Sequence, residues 1–119
     1  MTLQELYQKI NGNFAEAQSR LMKDSFIEKF ALMYLQDDSF TNLQAAVDAG
    51  NIADCFRAAH TIKGVAANLA FTELQQAASS LTEQLRPQTD PADMEMFTVV
   101  KNAHEKVVSA LNEYKAGKL

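Results

Sequence analysis

The sequence is poor in the residues that break a helix and in the patterns that build a sheet. Its 119 residues include four glycines and two prolines, and no segment alternates polar and β-branched apolar residues long enough to argue a strand. The expected class is all-α. Cys55 is the only cysteine, so no disulfide can form within the chain and a reducing compartment suits it. The opening stretch, Met1 to Leu6, lacks the basic and apolar regions of a secretory signal. No window approaches an uninterrupted apolar run of membrane-spanning length. A cytoplasmic protein with no membrane association is expected. Positive charge is also short: the formal net charge is −4, with lysines and arginines scattered among the acids. That leaves no basic stripe for a phosphate backbone and argues against nucleic acid as a ligand.

What is present is an ordinary globular composition, 47% apolar and 22% charged, at a length suited to one domain with one core. A single domain over residues 1–119 is expected, its bundle core within about 24–115 and a helical segment, 1–23, laid across it. Thr2 and Glu5 have capping-box spacing and open a short helix ending near Gly12. Asn13 restarts the chain, and Phe14, Ala17 and Leu21 keep one face to about Lys23. Asp24 is predicted to cap one long helix over 24–49, with Phe26, Phe30, Met33, Phe40, Leu43 and Val47 on its apolar stripe. A kink is expected at Asp37, Asp38 and Ser39, where polar residues interrupt the stripe. Gly50 is placed to end that helix in a left-handed conformation and Asn51 to cap the next.

The following helix carries Ile52, Cys55, Ala59, Ile62, Ala66 and Leu69 at spacings of three and four, a core-facing stripe ending around Leu69 to Phe71. Thr72 with Gln75 suggests a second capping box, opening a helix with Leu74, Ala78, Leu81 and Leu85 inward until Pro87. Asp90 and Pro91 signal the start of a final helix bearing Phe97, Val100, Val107, Leu111 and Tyr114, which frays over Ala116 to Leu119. Four long amphipathic helices with short connections predict an antiparallel four-helix bundle with an additional N-terminal helical segment. That architecture alone specifies no function.

The chemistry resides in Ala58 to Gly64. At about 100° per residue His60 is displaced from the core stripe to its edge, where a ring nitrogen can stay exposed. Gly64 lies one turn on and still nearer solvent, although glycine within a helix costs about 1 kcal/mol relative to alanine. Ala53 and Ala67 are also small, so the surface beside the imidazole is low and a partner can approach. Lys63 and Arg57, three residues to either side of His60, are candidate cations for an anion carried on the ring. A phosphoryl group is such an anion. Imidazole, with an unperturbed pKa of about 6.5, is available as a neutral nucleophile near pH 7. A histidine at a stripe's edge is ordinarily only a surface residue. It is the joint pattern that carries weight.

Other candidates are weaker. Bundle metal sites use Glu-x-x-His pairs, whereas Arg57 and Lys101 stand three residues before the two histidines, so no metal and no cofactor are expected. His104 falls on the stripe between Val100 and Val107 and is read as a packed or groove-lining residue with its polar edge satisfied. Cys55 is read as a small core residue. Phe56, between the stripe and His60, is read either as half-exposed where a partner docks or, equally, as partly buried in the core.

The run Ala59-His60-Thr61-Ile62-Lys63-Gly64 resembles the signature of the histidine-containing phosphotransfer (HPt) domain family. The likeness extends over residues 24 to about 115: a long apolar-striped helix, then Ala49-Gly50-Asn51 before an acidic residue, then the histidine helix with Ala66-Ala67-Asn68-Leu69, then a further capped helix. It implies a four-helix bundle without an ATP site, a carrier and not an enzyme. Its accessible histidine takes phosphate from a receiver-domain aspartate or a kinase and passes it on. On this resemblance His60 matches the phosphorylated histidine, Lys63 the lysine that favours the phosphorylated state, and Gly64 the glycine that leaves room for the receiver. Phe56, Arg57 and Ala67 would flank them as partner contacts. The implied partners are response-regulator receiver domains and a sensor or hybrid histidine kinase, met by a monomer. One departure stands out: Ala70 occupies a position where the family commonly has glycine. Two rival readings remain, a phosphoacceptor fragment of a larger chemotaxis-type or hybrid kinase, and a structural or adaptor bundle that binds a partner helix without phosphate.

Overall fold

Local side chains set where several helices begin. In the computed structural model, which describes residues 1–118, the Glu5 N–H donates to Thr2 Oγ1 at 3.1 Å and the Thr2 N–H to Glu5 Oε1 at 3.0 Å. This capping box opens α1 (Leu3–Lys9). Asn13 Oδ1 accepts from the Glu16 N–H at 3.0 Å and opens α2 (Phe14–Leu21).

The next stretch departs from expectation in three ways. The N-cap of α3 (Asp24–Met33) is Lys23, without a side-chain bond, and Asp24 lies in the first turn, where a carboxylate suits the positive end of the helix dipole. No single helix spans 24–49. After α3 the chain tightens into a 3-10 turn, Tyr34–Gln36, and Asp37 is extended at ψ 132°. Asp37 Oδ1 accepts from the Ser39 N–H at 2.8 Å, a local bond that competes with the helical ladder. A fresh helix, α4 (Ser39–Ala49), therefore follows a break, not a kink. The rotation of α3 differs too. Ile27, Ala31 and Tyr34 are buried, whereas Phe26, Phe30 and Met33, expected inward, are 44%, 37% and 54% exposed. Both sets keep helical spacing, and packing selects the smaller one.

Gly50 closes α4 at φ 66°, and Asn51 Oδ1 caps the next helix by accepting from the Asp54 N–H at 3.0 Å. That helix, α5 (Ile52–Leu69), buries Cys55, Ala58, Ala59, Ile62, Ala66 and Leu69. It ends at Ala70, left-handed with φ 57°, a conformation that costs an L-residue about 1–2 kcal/mol. The N-terminal helices hold it there. The Tyr7 hydroxyl donates to the Leu69 carbonyl at 2.8 Å, and the Asn13 N–H to the Ala70 carbonyl at 2.9 Å. Close approach needs glycine at position 12, because a Cβ there would lie 2.8 Å from the Tyr7 ring and 2.9 Å from the Ala70 oxygen.

The remaining starts are also revised. In α6 (Thr72–Leu85) the N-cap is Phe71, and the Thr72–Gln75 box does not form because Thr72 is already the first helical residue. Asp93, accepting from the Met96 N–H at 3.0 Å, caps α7 (Met94–Ala116). Asp90 and Pro91 lie in the connection before it, where the Pro91 carbonyl accepts from Gln84 Nε2 at 3.0 Å. Among the described residues there is no strand. In this all-α bundle α5 packs between α4 and α6, α6 against α7, and α1 and α3 against α7. No helix among the described residues is long and apolar enough to cross a membrane.

Tyr7→Phe removes the buried hydroxyl that holds the end of α5 and leaves the Leu69 carbonyl short of a partner. Urea unfolding should show a loss of about 1–2 kcal/mol with unchanged helix content. An unchanged midpoint would show that this bond does not secure the helix end.

Candidate functional site

Burying one side of α5 presents the other to solvent, and His60 stands there exposed. Phe56, one turn earlier and half-buried, lies beside it with ring centroids 6.0 Å apart and planes 20° from parallel. The imidazole is thus steadied on one side and open on the other. Gly64 is exposed, and a Cβ built on it would meet nothing within 4 Å. Ala53 and Ala67 are half-buried and keep the surface low.

The flank toward α6 is charged. The Arg86 guanidinium lies 5.4 Å from the centre of the Phe56 ring. It also holds Glu83 with two bonds, Nε to Oε2 at 3.0 Å and Nη2 to Oε1 at 2.8 Å. These bonds keep the Glu83 carboxyl below its ordinary range against partial desolvation, with the charges of Arg86, Lys63 and His60 acting in the same direction. Lys63, half-buried, therefore shares its neighbourhood with Glu83 and His60. Glu83 and Arg86 were not singled out in the sequence. An i,i+3 acid–base pair on α6 is unremarkable until α6 is packed on α5.

Arg57 is not brought to this flank. It pairs with Asp54, one turn back, and lines a polar groove toward α4 with Asn42, Asp54 and Thr61. At about 100° per residue it stands on the opposite side of His60 from Lys63. Between α3 and the C-terminal half of α5 lies a hollow of about 740 Å³, lined by Leu21, Phe30, Met33, Val65 and Leu69 and also by the polar side chains of Arg20, Asp37 and Asn68. Phe30 and Met33 escaped notice as surface residues because their spacing equally suits a core stripe.

The second histidine is built into the fold. His104 is half-buried on α7, stacked on Phe40 with centroids 4.3 Å apart and with Nδ1 2.7 Å from the Tyr34 hydroxyl. Burial depresses its pKa, opposed by Glu105 and Asp37. The Tyr34 hydroxyl and Nδ1 share one hydrogen bond, whose donor is set by the tautomer of the ring. Cys55 is 2% exposed, its thiol pushed up by burial and then by Asp54, so thiolate chemistry is suppressed. Among the described residues no group of three or more His, Cys, Asp or Glu side chains could hold a metal ion.

A family model describing the Hpt domain matches residues 35–110, a span that contains α4, α5 and α6 whole and most of α7. No curated protein and no solved structure matches the chain.

Burial of His104 makes stability depend on pH. A ring whose folded pKa lies below its unfolded value, near 6.5, binds its proton more readily when unfolded. Its contribution is complete above about pH 6.5 and is lost as the pH falls toward the folded pKa. Chemical denaturation at pH 7.5 and at pH 5.5 should therefore show a smaller difference for His104→Gln than for the wild type. An equal difference in the two proteins would mean that another group carries the pH dependence.

Proposed function

The chain belongs to the Hpt domain family, a family of phosphotransfer intermediates in phosphorelays, and on that premise we propose that His60 is its phosphoacceptor. It takes a phosphoryl group from a receiver-domain aspartate or a kinase and passes it to another receiver. The supporting observation is the ring's setting: exposed, steadied by Phe56, and next to a glycine above which nothing stands within 4 Å. A ring-nitrogen lone pair forms the P–N bond while the P–O bond to the donor carboxylate breaks, its electron pair staying on that oxygen. The reverse exchange hands the group on. Such transfer depends on alignment and charge placement more than on covalent participation by other residues.

Lys63 lies three residues from His60 on the helix surface and supplies a cation for the phosphoryl oxygens. Magnesium and the acidic pocket that manage the moving group belong to the receiver, and the carrier adds a rigid helix. Space is open above Gly64, and the docking face we propose runs from Phe56 and Ala67 past His60 and Gly64 to Val65, Phe30 and Met33 at the hollow beside α3. Phe26, Phe30 and Met33 are large, apolar and exposed on neighbouring turns, the kind of patch a partner covers. In this reading residues 1–119 act as one domain, a cytoplasmic, monomeric carrier.

Incubation with a phosphorylated receiver should move acid-labile, alkali-stable label onto the wild-type chain and onto His104→Gln, and none onto His60→Gln. His60→Gln should also leave stability within about 0.5 kcal/mol of wild type, as for other surface positions. Lys63→Ala should slow the transfer and shorten the life of the labelled form. Label on His60→Gln, or its loss from His104→Gln alone, would contradict the assignment. A wild type that takes no label from any of many receivers would favour the adaptor reading.

A further inference from the structure

The charged flank of His60 holds more than the transfer of a phosphoryl group requires. Phe56 touches both the imidazole, at 6.0 Å between centroids, and the Arg86 guanidinium, 5.4 Å from the ring centre. The guanidinium is therefore one aromatic ring away from the histidine. Yet it is engaged by Glu83 through two hydrogen bonds at 2.8 and 3.0 Å, and both side chains are more than half exposed. A guanidinium binds phosphate with the same two-pronged geometry that it uses for carboxylate. Glu83 also feels the charges of Lys63 and His60, so a dianionic group on His60 would be felt by Glu83 in turn.

We propose that Glu83 and Arg86 form a charge-exchange pair that sets how strongly His60 retains its phosphoryl group. In the unmodified chain Arg86 is neutralised by Glu83. Phosphorylation adds about −1.5 to −2 charges beside the pair, Arg86 turns from the carboxylate to the phosphoryl oxygens, and the released Glu83 opposes the bound group. Arg86 attracts and Glu83 repels, so the two nearly cancel. The result is a phosphohistidine neither trapped on the carrier nor driven off it, as a two-way carrier needs. Both act as positioning residues and neither forms a bond to phosphorus. This inference rests on His60 being the phosphoacceptor.

The test is the equilibrium constant for exchange between a phosphorylated receiver and this chain, read as the label on each protein at the end point. That constant belongs to the free partners. A substitution that only weakens docking slows the approach to equilibrium and leaves the end point in place. Glu83→Gln should shift the constant toward the phosphorylated carrier by roughly fivefold, the factor for one unit charge at this range in a wet surface dielectric. Arg86→Gln should shift it by a similar factor the other way, and the double variant should return to within about twofold of wild type. Both single shifts should shrink in 1 M salt, where the screening length falls to about 3 Å. Single variants within twofold of wild type, or both moving in the same direction, would overturn the pair while leaving His60 labelled. A wild type that takes no label would overturn the phosphoacceptor reading itself, and the pair with it.

Discussion

Cys55, Ala58, Ala59, Ile62, Ala66 and Leu69 are buried on one side of α5, and that single constraint fixes the direction of everything on its other side. Turning the helix by one residue, about 100°, would bring Ile62 and Leu69 toward water, at about 1.5–3 kcal/mol for each large side chain. The rotation is therefore held by several independent contacts. Both ends are held as well: Gly50 and Asn51 set the entry, and Tyr7 and Asn13 bind the carbonyls of Leu69 and Ala70 at the exit. His60 and Gly64 are exposed because the core leaves them no other place.

Around that ring the surface divides into two unlike flanks. Toward α6 lie Lys63, Glu83 and Arg86, with the Phe56 ring between the imidazole and the guanidinium. Toward α3 lie Gly64, with open space above it, and the hollow lined by Val65, Phe30 and Met33 together with Arg20 and Asp37. On the proposed reading, charges on the first flank act on a group bonded to the histidine. The second offers apolar area that a partner can cover, which is the stronger source of association energy at a protein surface. If His60 carries the group and a partner rests on the second flank, separating the two lets the electrostatics of the group be tuned without altering the docking patch.

Much of this was legible in the sequence where the deciding interaction is local. The capping box at Thr2, the caps at Asn13 and Asn51, the left-handed Gly50, the core stripe of α5 and the packed His104 each depend on residues within a turn or two, or on one clear periodicity. The failures occur where the decision is not local. In α3 two sets of apolar residues have helical spacing, and only the packing of α2, α5 and α7 selects Ile27, Ala31 and Tyr34 over Phe26, Phe30 and Met33. The break before α4 turns on the bond from the Ser39 N–H to Asp37, and the start of α7 on Asp93 displacing the signal at Asp90 and Pro91. Of the candidate site, His60 and Gly64 could be put at the outer edge of α5 and Lys63 beside them from spacing, and the resemblance to a family signature suggested their roles. Glu83 and Arg86 could not, since α6 brings them to the site from another part of the chain. Ala70 drew attention only as a departure from a family pattern, and its left-handed φ gives that departure a physical content.

If α5 devotes one face to the fold and the other to a partner, a substitution on the outer face should improve the first and damage the second. Gly64→Gln does this most directly, because open space surrounds the new side chain and glutamine is the better helix former. Stability should rise by roughly 0.5–1 kcal/mol. Transfer from a receiver should slow at least about tenfold, corresponding to roughly 1.4 kcal/mol, while phosphorylation by a small donor such as phosphoramidate should change much less. Higher stability with receiver transfer unimpaired would contradict this division of the helix.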